Sequence, residues 1–138
     1  MRFYLLIIFL IMSCSKKTPS SEVPYFDQDI SFEHLLEQCS YGPRNPGSLG
    51  YNNFSIYLEQ YLKNLSSNII IQDFTYLEHI TGVERNGKNF IIQFNKESNE
   101  RILIGAHWDT RAVSDEDSNE NNRSLAVLGA NDGASGTA

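Results

Sequence analysis

Cysteine, proline, tryptophan and basic charge are all sparse in this chain, and each scarcity removes a class of explanation. Two cysteines in 138 residues cannot build the disulfide-dense scaffold of a small secreted domain. Lys and Arg number 11 against 17 Asp and Glu, giving a formal net charge of -6. No Lys/Arg cluster interrupts that acidic balance. A nucleic-acid partner is therefore not expected, because binding to a phosphate backbone draws on clustered cations. No internal repeat is visible, and the apolar run Phe3 to Met12 falls short of the roughly 20 residues that span a bilayer. What remains is ordinary globular usage, with 41% hydrophobic, 12% aromatic and 20% charged residues, enough for a packed core.

The start of the chain is not mature fold. Met1-Arg2, then the apolar run to Met12, then Ser13-Cys14, follow the basic start and apolar middle of a secretory signal. A small residue directly before a cysteine resembles a lipoprotein signal box. That resemblance implies a cleaved peptide over 1–13, a lipid on Cys14, and a membrane anchor outside the cytoplasm. An ordinary signal peptide or a start-of-chain anchor, with an incidental Cys14, is the competing reading. Residues 14–28, with Ser15-Lys16-Lys17-Thr18-Pro19-Ser20-Ser21, form the tether, and 29–138 the folded part. With Cys14 so assigned, Cys39 has no disulfide partner and is expected to be a buried small hydrophobe on a helix.

Asp29 or Ser31 is expected to cap a first helix with Phe32, Leu35, Leu36 and Cys39 on one face. Tyr41 to Gly47 is dense in turn formers. Ser48 then caps a second helix whose Tyr51, Phe54, Leu58, Tyr61, Leu62 and Leu65 recur at spacings of three and four. Ile69 to Tyr76 has strand character, and Asn86-Gly87 is expected to turn a two-residue hairpin between 81–85 and 88–94. Arg101 to Ala106 contains Ile102-Leu103-Ile104, the pattern of a strand buried on both faces. Residues 114–124 are acidic and amide-rich and are expected to be a solvated loop, without the glycine-spaced ligands of a calcium loop.

Two glycine-framed polar clusters stand out: Gly105-Ala106-His107-Trp108-Asp109-Thr110-Arg111 after the expected strand, and Gly129-Ala130-Asn131-Asp132-Gly133-Ala134-Ser135-Gly136 further on. An imidazole at a strand end with a carboxylate two residues later suits a metal ligand oriented by a neighbouring group. An Asp in a glycine-rich turn can approach the same ion, because small neighbours let the backbone come close. His-x-Asp alone is more often a surface or structural histidine. The two clusters together resemble the zinc exopeptidases of the M28 type, which include aminopeptidases and glutaminyl-peptide cyclotransferases. Trp108 before Asp109-Thr110-Arg111, and Gly42-Pro43-Arg44-Asn45-Pro46-Gly47-Ser48 ahead of a helix, look most like the bacterial cyclases.

That resemblance implies an α/β fold with a mixed, largely parallel central sheet flanked by helices, incomplete at its C-terminal end. It implies zinc as cofactor, one ion in a cyclase and two in an aminopeptidase, with Asp132 as a ligand and His107 a ligand in the dinuclear branch only. Asp109 would orient His107, and Trp108 would be either a substrate wall or simple core. Peptide or protein amino termini would be substrates, on a lipid-anchored protein of the bacterial cell envelope. The family's catalytic glutamate, a zinc-binding glutamate, a further aspartate and a late histidine fall beyond the segment matching 133–138. The chain is thus expected to be an amino-terminal part, from a truncated gene model or a metagenomic fragment, and inactive by itself. A non-catalytic lipoprotein binding module is the reading of another class.

Overall fold

The computed structural model describes residues 23–79 and 81–138. The apolar run Phe3 to Met12, Cys14 and the first part of the tether lie outside the described residues. Helix α1 spans Gln28–Ser40 and helix α2 Leu49–Leu65. Strands β1 (Ile69–Leu77) and β2 (Glu84–Ile92) pair antiparallel, and a 3-10 turn (Glu120–Asn122), a kinked turn (Ala130–Ala134) and a single helical turn (Ser135–Thr137) follow.

The helices form for the reasons their sequences give, with two corrections at α1. Ser48 caps α2, its hydroxyl accepting from Tyr51 N–H, and the threefold and fourfold spacing brings Tyr51 and Phe54 into the core. At α1 the cap is Asp27 rather than Asp29 or Ser31. Its carboxylate accepts from Asp29 N–H and Ile30 N–H at 3.1 and 3.0 Å, satisfying two donors that the helix cannot. The apolar face expected there is only half covered, at Leu35 and Cys39. Phe32 and Leu36 are exposed, whereas Gln38 is buried because its amide donates to the Ala134 carbonyl and accepts from Thr137.

Asn86-Gly87 is not a hairpin turn. Both residues lie inside β2, and the reversal falls instead between β1 and β2, where Gly82 has φ +67° and its N–H donates to the Glu78 carbonyl. The register pairs Phe74 with Gly87, and the Phe74 ring lies so close that a Cβ at Gly87 would sit 2.3 Å from it. Cross-strand packing on a glycine has overridden the local turn preference.

Ile102-Leu103-Ile104 is likewise not a buried strand: it has no ladder partner among the described residues, and all three side chains are about nine-tenths exposed (91%, 92% and 88%). A continuous apolar run records a need for cover without supplying the covering surface. The α/β character stands, with an antiparallel pair as the sheet present among the described residues. The core lies at the other end of that segment. Trp108 stacks on Tyr51 at 4.4 Å between ring centroids, with Phe54 and Phe90 at 5.8 and 5.9 Å, and its indole N–H donates to the Lys88 carbonyl. One aromatic cluster therefore ties α2 and β2 to the segment that carries His107.

Candidate metal centre

His107 stands one residue before the anchored Trp108, so its backbone is fixed while its ring faces out. Nδ1 lies 3.0 Å from the Asp109 backbone carbonyl, and Nε2 lies 2.9 Å from Asp132 Oδ1. The Asp109 carboxylate stands farther from the ring, at 3.6 Å. Asp109 therefore meets His107 mainly through its main chain. Both ring nitrogens face acceptors, a demand that only a doubly protonated ring meets in the absence of another cation. The Asp132 carboxylate accordingly raises the His107 pKa above its ordinary value, with partial burial opposing it and the Asp109 carbonyl adding to it.

Asp132 reaches the imidazole because its turn is sharply bent. Asp132 itself is extended (φ -100°, ψ 108°), and Gly133 follows at φ +99°, a conformation that disfavours any side chain. Space imposes the same choice. A Cβ at Gly133 would lie 3.0 Å from His107 Cε1 and 3.2 Å from the Asp109 carbonyl oxygen.

Two cavities share His107 and Asp109 as a wall. One, of about 390 Å³, is bounded also by Trp108, Tyr51, Phe74 and Tyr76; the other, of about 240 Å³, by Asp132, Tyr76, Arg111 and Val127. Burial, with help from the Asp109 charge, pushes the Tyr51 pKa up to about 12, so this wall stays a neutral phenol. Trp108 is buried in the core and presents part of its surface to the larger cavity.

The pair fits part of a zinc site. As imidazolium the ring would donate to both the Asp109 carbonyl and Asp132, leaving one Asp132 oxygen as a donor of the type zinc takes; with Nε2 deprotonated, its lone pair would be a second such donor. Catalytic zinc takes about three protein ligands, and no group of three His, Cys, Asp or Glu side chains converges among the described residues. Cys39 is a half-buried free thiol remote in role from the pair. The 114–124 segment is an exposed loop held by its own turns: Asp117 accepts from Asn119 N–H and Asn119 from Asn121 N–H.

One site-building residue, Arg44, entered the sequence reading only as a member of the Gly42 to Ser48 segment and was given no role there. Arg44 is fully buried, donating to the carbonyls of Trp108, Gln38 and Gly129 at 3.0, 3.0 and 3.2 Å, while its N–H donates to the Thr110 hydroxyl at 2.9 Å. It lay hidden in a segment of turn formers. A lone cation among prolines and glycines, with no acidic neighbour in sequence, was the signal that could have marked it.

The fold is of the zinc-exopeptidase type of α/β protein. Residues 89–138 match Peptidase family M28. Among solved structures, the chain is similar to a leucine aminopeptidase precursor from Bacteroides thetaiotaomicron (35% identity, TM-score 0.78, covering 83% of this chain and 39% of that one). It is similar also to a Bacteroides thetaiotaomicron glutaminyl cyclase bound to N-acetylhistamine (35%, 0.77, 83% and 39%) and to a Zn-dependent exopeptidase from Parabacteroides distasonis (31%, 0.78, 83% and 39%). The relation to M28 zinc exopeptidases and bacterial glutaminyl cyclases suggested by the two glycine-framed clusters is thereby established. The chain spans about two fifths of the length of these relatives. No curated protein matches the sequence.

Proposed function

We propose that these residues contribute the His107–Asp132 half of the centre of a zinc-dependent glutaminyl-peptide cyclotransferase, which converts an amino-terminal glutamine to pyroglutamate and releases ammonia. The observation that carries the reading is the 2.9 Å contact between His107 Nε2 and Asp132 Oδ1. It engages one carboxylate oxygen with the imidazole and leaves the other for a single ion, which favours one zinc over the two of an aminopeptidase. Zinc held there would polarise the substrate's side-chain amide oxygen as a Lewis acid.

The chain's own residues supply binding and orientation. Asp132 offers its free oxygen as ligand, and the Asp109 carbonyl fixes the ring plane of His107, which holds Asp132 in turn. The Trp108–Tyr51 stack keeps that wall of the larger cavity apolar and rigid. Because the described residues bring together fewer donors than catalytic zinc takes, they are expected to bind zinc weakly by themselves.

A paired assay on the protein expressed from its native reading frame tests this. Ammonia and pyroglutamyl peptide from a Gln-initiated substrate, without free amino acid, support the cyclase. Release of the first residue from leucyl peptides without cyclisation would replace it by an aminopeptidase. Neither activity, with zinc retained well below one equivalent, would favour a lipoprotein binding module. We also propose that Cys14 is lipidated and holds the protein to the cell envelope; loss of membrane association on Cys14→Ser is the expected result, and unchanged fractionation would refute it.

A further inference from the structure

Arg44 makes no hydrogen bond to the His107 or Asp132 side chain, yet its bonds flank both. Nε donates to the carbonyl of Trp108, the residue after His107, and Nη2 to the carbonyl of Gly129, the residue that opens the Asp132 turn. Nη1 donates to the Gln38 carbonyl, while the Gln38 side chain grips the far end of the same turn at the Ala134 carbonyl. The Arg44 main chain exchanges two bonds with Thr110, its N–H donating to the hydroxyl and its carbonyl accepting from Thr110 N–H at 3.3 Å.

We propose that Arg44 is the positioning residue of this centre, setting the separation of His107 and Asp132 by bonding a backbone carbonyl in each of the two loops. Three features support a positioning role over bulk packing. The group is fully buried and its guanidinium gives its hydrogen bonds to backbone carbonyls rather than to a carboxylate. Its acceptors lie on α1, on the segment after His107 and on the Asp132 turn, none of which is otherwise joined by a ladder. The rigid planar fork spans them, whereas a lysine ammonium in its place is a single compact donor centre. The inference rests on the His107–Asp132 reading only in its zinc consequence.

The test is amide hydrogen exchange on the whole metal-free chain, comparing the parent with Arg44→Lys, Thr110→Val and Leu58→Ala. Arg44→Lys is expected to speed exchange in 107–110 and 129–134 by about tenfold or more while the β1–β2 hairpin keeps its protection. Thr110→Val, which removes the acceptor of the Arg44 main-chain N–H and so loosens the seat of its side chain, should affect the same two segments less strongly and decides the matter if Arg44→Lys does not fold. Leu58→Ala thins the core and should raise exchange in helix and hairpin alike. Unchanged exchange in 129–134, or a rise spread evenly over the hairpin, overturns the proposal. At a temperature where circular dichroism finds both variants folded, Arg44→Lys should also lower zinc affinity about 10- to 100-fold, and Leu58→Ala should not. A parent chain that binds no zinc would sink the metal reading and leave the exchange result to decide on Arg44.

Discussion

His107 is pulled toward its charged form by Asp132, and that fixes the sign of a pH dependence. Its pKa in the folded chain lies above the ordinary value of about 6.5. The stabilisation is therefore fully present below pH about 6.5 and is lost as pH rises through the raised value. Both side chains are more than half exposed, so solvent screening holds the effect below about 1 kcal/mol. Asp132→Asn should lower the His107 titration midpoint measured by NMR; an unmoved midpoint would mean the contact does not exist in solution. Gly133→Ala, at φ +99° and against the His107 ring, should cost about 1–3 kcal/mol in urea unfolding, and a neutral result would show that the turn relaxes. At this scale His107, Asp109 and Asp132 were legible because their residue types and glycine frames are local facts. That Asp109 acts through its carbonyl was not, since main-chain direction depends on the bend of the segment. Nor was Arg44, whose partners are distant in sequence.

Elements were legible where one periodicity dominated. The α2 stripe and the Ser48 cap follow from helical spacing and a single hydroxyl. Asn86-Gly87 misled because a short-range turn preference competed with the packing of Phe74 on the opposite strand. The run 102–104 misled for a related reason: hydrophobicity states what a segment needs, and no described element supplies it. Two substitutions separate these cases. Trp108→Ala empties the centre of the aromatic cluster and should cost about 3–5 kcal/mol by denaturant unfolding, with a loss under 1 kcal/mol counting against that core. Leu103→Lys, on a side chain 92% exposed, should change the stability of this chain by no more than about 0.5 kcal/mol. Unfolding by that substitution would restore the buried-strand reading.

Across the molecule, the zinc-exopeptidase kinship was carried by two short clusters, whereas only a two-stranded antiparallel piece of the expected sheet is present among the described residues. Ancestry is written in local motifs; a parallel sheet is assembled from strands far apart in sequence, and this chain spans 39% of its relatives' length. Its acidic balance is compatible with a cation site and unsuited to a phosphate backbone. The proposed zinc centre stands or falls with His107 and Asp132. The most direct measurement is a zinc titration of the 138-residue chain followed by NMR, with Asp132→Asn in parallel. One weak, saturable site that perturbs the His107 ring and residues 129–134, and that disappears in Asp132→Asn, is the predicted result. Saturation that ignores Asp132, or no perturbation of His107 at millimolar zinc, would contradict the account.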